Sequence, residues 1–109
     1  ASVADSGYTL ARMAFRIIVS PEAAEDMRQL RAVDRSAVKE AMKVHLRHEP
    51  RKESRSRIKR LRGLSRSQYR LRVDDFRVFY DVTGTSVEIL AVIAKSEAEA
   101  WLSQFGSPE

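Results

Sequence analysis

The chain has 109 residues, 43% of them hydrophobic, enough for one small domain with its own core but not for two. It has no cysteine and two histidines, His45 and His48, which excludes a disulfide scaffold and a thiolate metal site; no metal and no cofactor are expected. The net charge of +5 is unevenly placed: residues 51–72 hold half of the 20 Lys and Arg and a single acid, Glu53, a concentration that favours a polyanion as partner.

Residues 1–12, "ASVADSGYTLAR", have no periodicity and read as a cloning remnant or an upstream extension, with a single domain over 13–109. "AFRIIV" (14–19) predicts a strand. Ser20 as cap, Pro21 in the first helical position and the acids Glu22, Glu25 and Asp26 predict a helix with Ala23, Met27 and Leu30 on its inner stripe. Asp34 is expected to cap a second helix running to about His48, with Val38, Ala41, Met42 and His45 on one face and Pro50 beyond its end. "RIKRLRG" (57–63) predicts a short strand closed by Gly63, and "LSRSQ" a loop.

"YRLRVDDFRVFYDV" (69–82) is a hairpin with Asp74-Asp75 as its two-residue turn. That turn fixes the register: Val73 opposite Phe76, Arg72 opposite Arg77, Leu71 opposite Val78, Arg70 opposite Phe79 and Tyr69 opposite Tyr80. Alternation puts Tyr69, Leu71, Val73, Phe76, Val78, Tyr80 and Val82 on the core face, and Arg70, Arg72, Arg77, Phe79 and Asp81 on the other. "VEILAVIA" (87–94) is a central strand, and Ser96-Glu97-Ala98-Glu99 a capping box for a last helix with Ala98, Trp101, Leu102 and Phe105 on its stripe and Gly106 at its end. The fold class is α+β, in the order β-α-α-β-β-β-α, two N-terminal helices packing on a small antiparallel sheet. With no apolar run near the ~18 residues of a membrane span and no signal-peptide pattern at its start, the chain is expected to be cytoplasmic, without a membrane partner.

Arginines directly opposite each other cost a sheet a few tenths to about 1 kcal/mol. Either an acid such as Asp74 or Asp81 neutralises the pair, or the pair grips phosphate, which guanidinium groups match with two hydrogen bonds each. Phe79 beside them would offer a flat face for a base.

The ordered set "SPEAAEDMRQL", "IKRLRGL", "YRLRVDDFRVFYDV" and "VEILAVIAK" resembles the RelE/ParE superfamily of toxins from bacterial toxin–antitoxin pairs, over about residues 14–102. The family fold implied is the one read above. RelE-like toxins cut mRNA in the ribosomal A site; ParE-like toxins inhibit DNA gyrase. "KRLRG" and the basic hairpin place this sequence nearer the RelE side. The resemblance then implies a ribosome-dependent mRNA endonuclease with Arg62, Arg70, Arg72 and Arg77 as its catalytic set and Lys59, Arg60, Phe79 and Lys95 binding RNA. It implies a cognate antitoxin; the basic surface favours an acidic one, partly disordered when free, at Trp101, Leu102 and Phe105, and the short last helix, marginal without packing, is expected to be displaced by it.

The sequence also departs from that pattern. Active relatives often have lysines where Arg70 and Arg72 stand, and arginine, with a pKa above ~12, is a poor base. Ser96 occupies an expected basic position, and Trp101 and Leu102 the region of an expected tyrosine. Lys59, Lys95 and Asp81 are the remaining titratable candidates. A gyrase inhibitor, or a degenerate toxin that only binds antitoxin or RNA, is the alternative.

Overall fold

The computed structural model describes residues 14–108; the extension expected over residues 1–12 lies outside them. A five-stranded sheet has the order β1 (Arg16–Val19), β6 (Ser86–Ala94), β5 (Phe76–Thr83), β4 (Tyr69–Val73), β2 (Ile58–Arg60). Strand β1 (Arg16–Val19) runs parallel to β6 (Ser86–Ala94), and every other neighbour is antiparallel. Helix α1 (Pro21–Arg28) and helix α2 (Ala32–Leu46) lie on one face. Their buried Ala23, Met27, Val38, Met42 and Leu46 meet Leu71, Val78, Tyr80, Val87 and Ile89 of the sheet in a single core. The α+β architecture agrees with the sequence reading and the element order does so in outline, with more strands between the second and last helices than the three read there and a short one after the last.

Ser20 starts α1 as expected: its Oγ accepts the Ala23 N–H at 3.0 Å. The same residue holds the sheet. Its N–H donates to the Ile89 carbonyl (3.0 Å) and its hydroxyl to the Leu90 carbonyl (3.3 Å). Leu90 is the extra residue of a bulge, since Phe79 pairs with Ala91 while Tyr80 pairs with Ile89. Beyond β1 the edge of β6 would be bare, and there Asp26 Oδ2 accepts the Val92 N–H at 3.0 Å.

The structure corrects four expectations. Asp34 does not cap α2; Arg31 holds the cap position without a side-chain bond, and Asp34, inside the first turn, pairs with Arg31 at 3.0 Å. Helix α2 ends at Leu46 rather than near His48. Residues 64–68 are not all loop: β3 (Leu64–Arg66) pairs with β7 (Ser107–Pro108) in a small second sheet. No capping box forms at Ser96, which lies in a 3₁₀ turn (Lys95–Glu97) ahead of α3 (Ala98–Phe105).

Between α2 and β2 (Ile58–Arg60) the chain is tied down by the buried Tyr80, whose hydroxyl donates to the Pro50 carbonyl at 2.6 Å. Its ring stacks on Tyr69, with centroids 5.4 Å apart. Strands β4 (Tyr69–Val73) and β5 (Phe76–Thr83) form the hairpin, with all five cross-strand pairs in the predicted register. Asp74 takes the left-handed conformation (φ 51°) that such a tight turn requires.

Candidate nucleic-acid interface

On the face of the sheet away from α1 and α2, two rows of side chains cross the strands. One runs Lys59–Arg70–Phe79–Ala91, the other Arg72–Arg77–Ile93. Arg57 adjoins the second row, its carbonyl accepting the Arg72 N–H at 2.8 Å.

Arg70, Arg72 and Arg77 are therefore brought together, each differently. Arg77 is 7% exposed, with Nη1 donating to the Asp74 carbonyl (3.0 Å) and the Phe76 carbonyl (2.9 Å). Burial, then the neighbouring charges of Arg70 and Arg72, pull its pKa below the ordinary guanidinium value; Asp75 opposes them more weakly. Arg70 is half-buried and its Nε has no hydrogen-bond partner among the described residues. Arg72 is exposed. Neither acid considered in the sequence cancels the group. The Asp81 carboxylate accepts the Gln68 N–H at 2.7 Å, and Asp74 offers Arg77 its carbonyl. Among the described residues the ion pairs are Glu25–Arg28, Arg31–Asp34 and Glu49–Lys52, none of which includes a hairpin arginine.

The other candidates divide. Lys59 is exposed on this face, and Lys95 is exposed beside the hairpin turn, where its N–H donates to the Asp75 carbonyl at 2.7 Å. Arg62 is exposed in the turn before Gly63 and shares no sheet row with the hairpin arginines. Arg60 does not present its guanidinium outward: Nη1 donates to the carbonyls of Leu61 (2.8 Å), Leu64 (3.2 Å) and Gln68 (2.8 Å), and the group lies over the Tyr69 ring. It clamps the 61–68 loop. Phe79 has no open face either. It is fully buried, because Trp101 of α3 stacks on it with centroids 4.8 Å apart and planes 14° from parallel.

Trp101 and Leu102 are half-buried and Phe105 is 51% exposed. Trp101 and Phe105 of α3 line an open cleft of about 550 Å³ together with Asp26, Leu30, Phe76 and Ile93. Asp26 is the residue there that sequence reasoning passed over as a dipole charge. Its pKa is raised, chiefly by burial, with Glu25 and Glu22 adding to it against the Val92 hydrogen bond. Arg57 was also missed as a site residue, although it lies in the basic strip. Among the described residues no group of His, Asp and Glu could hold a metal ion, and no helix is long and apolar enough to cross a membrane.

The family model described as the ParE toxin of type II toxin–antitoxin systems matches residues 17–99, most of the domain. The chain belongs to this toxin family. It is similar in structure to a double arginine-to-alanine mutant of the E. coli toxin RelE in the free state, with a TM-score of 0.64 and 26% identity over 84% of this chain and 93% of that one. The RelE–RelB complex of Pyrococcus horikoshii OT3 (TM-score 0.63, 22% identity, 76% of this chain and 97% of that one) shares the fold. So does the RelB–RelE complex of Methanococcus jannaschii (TM-score 0.61, 15% identity, 77% and 96%). No curated protein matches the chain. A toxin of this kind has a cognate antitoxin as its partner.

Proposed function

We propose that this toxin inhibits translation by laying mRNA across the Arg70–Arg72–Arg77 face and promoting its cleavage on the ribosome. One observation carries the reading: three guanidinium groups converge on one face and, among the described residues, no carboxylate is ion-paired with any of them. Such an arrangement opposes folding and favours a phosphate backbone. The likeness to E. coli RelE supports the same side of the superfamily.

The reaction would be attack of a ribose 2′-oxygen on the adjacent phosphate, with departure of the 5′-oxygen. Negative charge grows on the non-bridging oxygens, and Arg77, held by two carbonyls, is preorganised to meet it. Arg70 and Arg72 would hold the flanking phosphates. None of the three can accept the 2′-hydroxyl proton. That proton goes to a group the ribosome supplies, and the 5′-oxygen takes a proton from water as it leaves.

The antitoxin would be an acidic segment, disordered when free, that enters the cleft between α1 and α3 and displaces α3. The P. horikoshii and M. jannaschii complexes support a partner of the RelB kind. A second reading, gyrase inhibition, is favoured by the ParE model match and by the lack of an assigned base in the chain. Parallel assays on the purified toxin separate the two. Arrest of a defined translation reaction with supercoiling by gyrase untouched is expected; the reverse pattern would establish gyrase as the target.

A further inference from the structure

A feature outside the hairpin bears on how the nucleic acid continues. Arg57 lines two clefts, one on either side of the exposed edge strand β2. The first, about 280 Å³, is lined by Arg57, Ser56, Arg72 and Asp74 and joins the arginine face. The second, about 220 Å³, lies behind it at the end of α2, among His45, His48, Val44, Ile58, Glu49 and Arg57. The ridge between them is rigid: Ser54 Oγ accepts the N–H groups of Arg57 (3.0 Å) and Ile58 (3.2 Å), and the Ser54 N–H returns to the Ile58 carbonyl (2.9 Å).

The chemistry of the second cleft differs from that of the first. It is less suited to phosphate, because the carbonyl end of α2 opposes an anion and Lys52, which also lines it, is already paired with Glu49 at 3.3 Å. A flat, partly apolar group with edge hydrogen-bonding sites suits it well. Ile58 is buried beneath it, Val44 is 61% exposed at its rim, and two imidazoles and a guanidinium stand beside it. Imidazole and guanidinium planes are surfaces on which unstacked bases rest. Burial and the Arg57 charge lower the His45 pKa, so the ring is neutral at pH 7 and offers one donor and one acceptor.

We propose that the cleft formed by His45, His48, Val44 and Arg57 is a base-binding subsite, taking one unstacked nucleobase of the same strand whose phosphates lie over Arg72 and Arg57. The inference rests on the reading of the arginine face as an RNA-binding surface and extends it around the sheet edge. Its site lies outside the reacting centre, so its effect is on affinity and sequence preference.

The test walks a single 2-aminopurine along a short single-stranded RNA and follows its fluorescence on binding the toxin at low salt. One position is expected to quench far more than the rest. His48→Ala, at an exposed residue, and Val44→Glu should each abolish that quench. An abasic nucleotide at the same position should weaken binding to wild type about ten-fold and leave binding to His48→Ala unchanged. If all positions respond alike, or the quench survives both variants, while Arg72→Ala still weakens binding, the subsite is wrong and the arginine face stands. If the wild-type toxin fails to bind RNA even at low salt, both readings fall.

Discussion

Trp101→Ala tests how the last helix is held. Helix α3 has eight residues and no fully buried side chain, and a helix of that length does not persist in water alone. Its attachment runs through Trp101, stacked on Phe79 at 4.8 Å and against Phe105 at 5.5 Å. Truncating a fully buried Trp costs about 3–5 kcal/mol. Trp101 is half-buried, which brings the burial loss to about 2 kcal/mol, and the stack on Phe79 adds about 0.5–1 kcal/mol. The sum exceeds what holds so short a helix, so the helix should detach locally and the measured loss should level off at the free energy of docking α3. Urea unfolding should show a loss of about 2 kcal/mol at most. Hydrogen exchange should show the Gly106 N–H, now bonded to the Leu102 carbonyl at 2.9 Å, losing its protection while the N–H groups of β5 keep theirs. An unchanged Gly106 exchange rate with a loss below about 0.5 kcal/mol would refute the idea that this stack anchors the helix.

Arg72→Gln should raise stability by a few tenths of a kcal/mol in chemical unfolding, because it removes the like charge opposite Arg77, and should weaken RNA binding in the same preparation. Ser67→Gly should stabilise by about 1 kcal/mol: Ser67 is fully buried at φ 65°, and its hydroxyl has no partner among the described residues, so glycine relieves both the strain and the lone polar group. Asp26 has a folded pKa raised above its unfolded value, so its contribution to stability is full below the ordinary carboxylate range and is lost as pH rises through the raised value. Asp26→Asn, which keeps an acceptor for the Val92 N–H, should remove that dependence from unfolding curves taken across acidic pH and make the protein more stable at pH 7 than wild type.

The hairpin was legible because two local rules suffice for it. A two-residue turn sets the register, and alternation sorts the faces. The start of α1 was legible for a similar reason, since a Ser-Pro pair followed by acids makes its signal within one turn. What escaped depends on partners far along the chain. Alternation assigned Phe79 to the outer face but said nothing of what lies over that face, and α3 lies there. The basic strip made Arg60 look like its neighbours, yet the three carbonyls that hold its guanidinium converge only once the 61–68 loop has folded. The pairing of β3 with β7 joins segments of two and three residues, too short for any pattern. Ser96 carries the letters of a capping box, but the chain enters α3 through a 3₁₀ turn, which moves the helix start past it. The bulge at Leu90 follows from Ser20 gripping two successive carbonyls, a contact spanning most of the domain.

The arginine face is the centre of the account, and mapping mRNA 5′ ends by primer extension in a defined translation reaction tests it most directly. Wild-type toxin should produce new ends in the ribosomal A site only when ribosomes are present, and folded Arg77→Ala toxin should produce none. Wild-type toxin without new ends, or Arg77→Ala toxin that cuts as well as wild type, would contradict it.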